Sequence, residues 1–106
     1  MINDPMVKNA ADPDQVKEAG VKEKFGRKQE LNDVYNVLST PIGRRLVWRI
    51  LAKCGVFKSS FTGNSTTFFN EGRRDIGLWL LADVMESNPD AYVQMAKEAQ
   101  GEKTNA

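Results

Sequence analysis

Histidine is absent from this sequence, and cysteine occurs once, at Cys54. These two facts exclude imidazole acid–base catalysis, Ser-His-Asp and Cys-His nucleophiles, and zinc sites built from Cys and His. A single thiol also excludes an intrachain disulfide, so the fold needs no oxidising compartment. Neither sign of charge dominates. Lys and Arg number 15 against 14 Asp and Glu, a formal net charge of +1, unlike a chain made to coat nucleic acid. Long apolar runs are also missing. The longest, Ile76 to Met85, is broken by Asp83 and has about half the length needed to cross a bilayer. The opening MINDPMVKNAADPDQ has no basic start followed by an apolar stretch, so no secretory signal is expected. No Gly-rich phosphate loop occurs, because GRR and GLW lack the Walker and dinucleotide spacings. The expectation is a chain with no cofactor, no metal and no membrane partner, acting by binding or as a structural element.

What is present fits one small domain: 106 residues and 11.9 kDa, with 41% hydrophobic and 27% charged residues. No stretch alternates with period two long enough to be a strand, so an all-α fold of three or four helices is expected. Residues 1–28 differ from the rest. They carry Asp4-Pro5, Asp12-Pro13 and one aromatic, Phe25, with Val16, Ala19 and Val21 as sparse apolar points. They read as a flexible tail, or as an extended arm that orders on a neighbouring subunit, with a short helix over 14–24 at most. Residues 29–100 read as the helical domain, and 101–106 as a polar tail.

Within the domain, Leu31, Val34, Tyr35 and Leu38 fall at i, i+3, i+4 and i+7 on one helix face. Thr40-Pro41 restarts the chain, with Thr40 as cap and Pro41 in the first helical position. The helix from Pro41 to Cys54 would turn Ile42, Leu46, Val47, Ile50 and Cys54 inward and stop at Gly55. The loop GVFKSSFTGNST carries Phe57 and Phe61, expected to pin it to the core. A third helix over about 67–87 has the centre IGLWLLADVM, apolar nearly all round, as in a helix covered on most sides. Trp48 and Trp79 are both expected to be mostly buried. Gly72 and Gly77 cost helix propensity and call for close approach by another backbone or a ring such as Trp48. Asn88-Pro89 ends that helix and starts a short last one, with Tyr92, Met95, Ala96 and Ala99 inward.

Three constellations bear on function. Glu71 and Asp75 share a helix face and could serve acid–base or metal chemistry, although Arg73 and Arg74 beside them fit an ion-paired structural role equally well. Arg45, Arg49 and Lys53 recur every four residues and form a stripe opposite the apolar arc, with Arg44 on the other edge near Trp48 and Leu51. A stripe of Arg and Lys alone suits phosphates or an acidic partner and does not read bases. Arg73 and Arg74 point about 100° apart on one helix, so at least one lies near the apolar centre. It then needs Asp75, Asp83, Glu71 or another chain as its partner. Trp48, Phe57, Phe68, Phe69 and Trp79 could be a stacking platform for single strands, but amid Leu and Ile they read as core.

The block Leu38-Ser39-Thr40-Pro41-Ile42-Gly43-Arg44-Arg45-Leu46-Val47-Trp48-Arg49-Ile50-Leu51, then Cys54-Gly55-Val56-Phe57 and Ser59-Ser60-Phe61, then Glu71-Gly72-Arg73-Arg74-Asp75-Ile76-Gly77-Leu78-Trp79-Leu80-Leu81, resembles a small tailed-bacteriophage family first defined from a Bordetella phage. The resemblance covers roughly residues 30–99. It implies a phage-encoded virion component or assembly factor from the head and portal gene neighbourhood, made in the host cytoplasm, and it does not imply an enzyme. No active-site residue carries over. The expected partners are other virion proteins and further copies of the chain. The competing expectation is non-specific contact with DNA. In either case Arg45, Arg49, Lys53, Arg73 and Arg74 are the contact residues.

Overall fold

The computed structural model describes residues 12–105, with side chains described as far as Gly101. Four helices follow one another: α1 over Pro13–Val37, α2 over Pro41–Cys54, α3 over Thr66–Ser87 and α4 over Pro89–Asn105. The described residues contain no strand, and the fold is all-α. Two compact units divide the chain between Glu30 and Leu31. The first is helical from Pro13. Asp12 caps it by accepting from the N–H groups of Asp14 at 3.0 Å and Gln15 at 3.4 Å. Pro13 therefore starts a helix where the sequence suggested a break, because the first helical position needs no N–H. Val16, Val21 and Phe25 are exposed on it. Residues 1–11 of the expected arm lie outside the described residues.

The second unit holds the end of α1 with α2, α3 and α4, and its core is Leu38, Val47, Leu51, Val56, Val84, Ala91 and Met95. The junctions follow the sequence closely. Thr40 Oγ1 accepts from the Gly43 N–H at 3.1 Å, with Pro41 opening α2. Gly55 closes it at φ 79°, a left-handed conformation suited to glycine, and its N–H reaches the carbonyls of Ala52 and Leu51. Asn88 Oδ1 accepts from the Ala91 N–H at 3.2 Å and caps α4. Ser87 Oγ donates to the Leu31 carbonyl at 2.7 Å, fastening the end of α3 to α1. The helix α4 continues to Asn105, through the segment expected to be a polar tail.

Packing departs from expectation in several places. Helix α2 buries Arg44, Val47 and Leu51, while Ile42, Leu46 and Ile50 are exposed. The sequence offers two apolar arcs on α2, and the inner one is Arg44, Val47, Trp48 and Leu51 at i, i+3, i+4 and i+7. Trp48 is half-buried, but Trp79 is 61% exposed. Phe57, Phe68 and Phe69 are exposed as well, so four of the five aromatics read as core are not in it. Phe57 stacks on Trp48 at 4.7 Å between ring centroids, but Phe61 is exposed and anchors nothing. The α2–α3 loop is tied instead by polar bonds, from the Thr62 N–H to Thr67 Oγ1 at 2.9 Å and from Asn70 Nδ2 to the Ser60 carbonyl at 3.2 Å.

The two glycines of α3 also behave differently from each other. A Cβ at Gly77 would lie 2.5 Å from Cys54 Cβ and from Val56 Cγ1, so the end of α2, not Trp48, presses on it. A Cβ at Gly72 would meet nothing within 4 Å. Gly72→Ala should therefore stabilise the protein by about 0.5–1 kcal/mol through helix propensity. Gly77→Ala should destabilise it by about 1–2 kcal/mol, overpacking outweighing the same gain. Urea midpoints moving in opposite directions for the two variants would bear this out.

Candidate interaction surface

Arg44 sits at a position on α2 that packing makes interior, yet it carries a full charge. Its Nε donates to Glu98 Oε1 at 2.9 Å and its Nη2 to Glu98 Oε2 at 3.2 Å, a two-pronged pair with α4. The remaining prong, Nη1, donates to the Leu38 carbonyl at 3.0 Å in the α1–α2 turn. Hydrogen bonding to Glu98 raises the guanidinium above its ordinary range, burial works against that, and the carboxylate charge adds to it. Arg44 is thus a permanent cation sealed between three elements. Sequence reasoning missed this pair. The available signal was a charge on each apolar stripe: Arg44 with Val47 and Leu51, and Glu98 with Ala91 and Met95 at i, i+4 and i+7.

With Arg44 turned inward, Arg45, Arg49 and Lys53 are exposed opposite the buried face. No carboxylate pairs with any of the three among the described residues. The stripe adjoins the exposed arc of Ile42, Leu46 and Ile50, so one side of α2 offers cations beside apolar surface. A cleft between α2 and α4 is lined by Arg45, Arg49, Trp48 and Met95 together with the Arg44–Glu98 pair. Tyr92 flanks Trp48 at 6.1 Å between centroids.

Arg73 and Arg74 do not join the stripe. Both are half-buried on α3, and the Nε–H of each is buried without an acceptor. Neither pairs with Glu71, Asp75 or Asp83. Arg73 instead lies over the Phe69 ring at 5.6 Å and donates to Asn70 Oδ1 at 3.3 Å. The expected ion-paired lock is Arg44, one helix earlier. Glu71 and Asp75 are exposed, and among the described residues no three His, Cys, Asp or Glu side chains gather as metal ligands would. The outer side of α3 carries Phe68, Phe69, Ile76 and Trp79, all exposed. No helix among the described residues is long and apolar enough to cross a membrane.

By fold and surface this is a small all-α domain with a basic strip and apolar faces turned outward. The family model of Bbp19-like phage proteins matches residues 35–97, from the last turn of α1 into α4, and the chain belongs to that family. It is a bacteriophage protein. The match contains Arg45, Arg49, Lys53, Arg73 and Arg74. No curated protein and no solved structure shows a significant match.

The burial of Arg44 and the exposure of Arg45 set up a direct comparison. Arg44→Gln removes the two-pronged pair and leaves Glu98 without its cation, so Tm should fall by roughly 5 °C or more. Arg45→Gln alters only a solvated side chain and should leave Tm within about 1 °C. Thermal unfolding followed by circular dichroism reads both.

Proposed function

We propose that this protein is a non-enzymatic virion or assembly component that works by protein–protein contact near the portal, neck or inner capsid, as an oligomer or in complex with other virion proteins. The observation that carries the reading is the apolar surface turned outward on two helices: Phe68, Phe69, Ile76 and Trp79 on α3, and Ile42, Leu46 and Ile50 on α2. Isolated exposed apolar residues are ordinary, but clusters along helix faces mark surfaces that other molecules cover. A small helical domain also gains stability from such burial. Val21 and Phe25, exposed on α1, belong to the same proposal as anchors of a partner-ordered segment within residues 1–28. Quantitative mass spectrometry of purified virions tests the placement. A fixed copy number per particle is expected, and absence from both particles and assembly intermediates would overturn the reading.

A second reading rests on the exposed stripe of Arg45, Arg49 and Lys53, which forms no ion pair among the described residues. It would contact phosphate backbone during genome packaging or ejection. Three phosphate contacts give a log–log salt slope of about −2.7 on duplex DNA, and binding would be independent of sequence. Reversing all three charges should abolish that binding with the helices intact. The near-neutral net charge favours the protein partner. No gel shift at low salt and micromolar protein removes DNA contact for the free chain.

Tryptophan fluorescence separates a covered from an uncovered α3. In a Trp48→Phe variant, Trp79 is the sole tryptophan, since the sequence has two. Its emission should be red-shifted and readily quenched by iodide in the free protein, and blue-shifted and shielded after incorporation into particles. Equal quenching in the two states would remove the outer face of α3 from the contact.

A further inference from the structure

A second cleft lies where the α2–α3 loop folds back on α3. Its walls come from Cys54 at the end of α2, from Lys58, Ser59 and Ser60 of the loop, and from Asn70 and Arg73 of α3. Two cations line it and no carboxylate does. Arg73 has no ion-pair partner among the described residues. Its guanidinium is held in place, with the Phe69 ring 5.6 Å away and Asn70 Oδ1 accepting from Nη2 at 3.3 Å. Asn70 Nδ2 donates in turn to the Ser60 carbonyl at 3.2 Å, tying the loop that carries Lys58 to the helix that carries Arg73. Ser59 Oγ accepts from the Phe61 N–H at 3.2 Å, and its own hydrogen is left to donate.

The carbonyl end of α2 adds about half a negative charge nearby. Gly55 satisfies two of those carbonyls, and two full cations outweigh the remainder. A held guanidinium, an ammonium and two hydroxyls belong to residues that line the cleft from two elements. Two cations and two hydroxyls match a tetrahedral phosphate, which carries more negative charge and more acceptor oxygens than a planar carboxylate.

We propose that the Lys58–Arg73 cleft binds a phosphate oxyanion. Its lining residues are separate from the Arg45, Arg49 and Lys53 stripe. The test uses the full chain and inorganic phosphate, with chloride at equal ionic strength as control. Phosphorus line broadening reads binding, and the alkylation rate of Cys54 by a neutral maleimide locates it at the cleft wall. Saturable broadening and saturable protection of Cys54 by phosphate are expected. Lys58→Gln and Arg73→Gln should each raise the half-saturating concentration about tenfold, the size of one lost charge-assisted bond. Arg45→Gln should leave it unchanged. Parallel titrations with a nucleoside monophosphate and a short oligonucleotide identify the source. Tighter protection by either places the phosphate on an ester, whereas protection by inorganic phosphate alone assigns the free ion. Lys58 is exposed, so Lys58→Gln stays decisive even if Arg73→Gln loses structure. Protection of Cys54 no greater than in chloride at equal ionic strength, or phosphorus broadening unchanged in Lys58→Gln, would overturn the assignment.

Discussion

The paired charges of Arg44 and Glu98 are the contact on which the arrangement of the helical unit turns. A guanidinium placed inside a small core is tolerable only when its donors are used. Here one residue reaches α4 through two prongs and the α1–α2 turn through a third. That choice fixes the rotation of α2 about its axis. Once Arg44, Val47 and Leu51 face inward, the spacing of the helix sends Arg45, Arg49 and Lys53 outward, with Ile42, Leu46 and Ile50 beside them. The character of the surface is therefore a consequence of how the core accommodates the Arg44–Glu98 contact with α4.

The core itself is lean. Leu38, Leu51, Val84 and Met95 are its largest fully enclosed side chains, and many large apolar groups lie outside it. The two situations in α3 show the contrast. Its inner side is pressed so closely by Cys54 and Val56 that Gly77 has no room for a methyl group, while its outer side leaves Trp79 and Phe68 in solvent. A helix apolar all round is used by the domain on one side only, and its other side is left exposed.

Local chemistry was legible in the sequence wherever a single residue type decides the conformation. Thr40-Pro41, Gly55 and Asn88-Pro89 act as expected because capping and left-handed backbone are determined within a few residues. On α4 the single apolar stripe makes Met95 and Tyr92 legible as inward, but Ala91, buried at the start of that stripe, is not in the expected set. Helix α2 was misread because it has two arcs sharing Val47 and Cys54. The choice between them depends on Glu98, a residue that periodicity along α2 cannot see. Trp79 is exposed despite its apolar neighbours because a domain this small has too little interior for all its rings. Arg45, Arg49 and Lys53 do share one exposed face, but that face adjoins Ile42, Leu46 and Ile50 and does not oppose them. The inward Arg44 and the separate setting of Arg73 needed tertiary packing to become visible.

The separation of 54 residues between Arg44 and Glu98 has a consequence in time. During synthesis α2 is complete well before α4 exists, so Arg44 has no carboxylate to receive it and keeps its hydration. The surface that becomes the interior of α2 stays unsealed until α4 docks. The final joint then closes in one event, with Met95 and Ala91 arriving on the same helix as the carboxylate. A nascent chain that stalls before α4 holds helices without a settled packing, and chaperones would meet it in that state. The order in which the ribosome delivers the helices thus sets the order in which the domain can become one body.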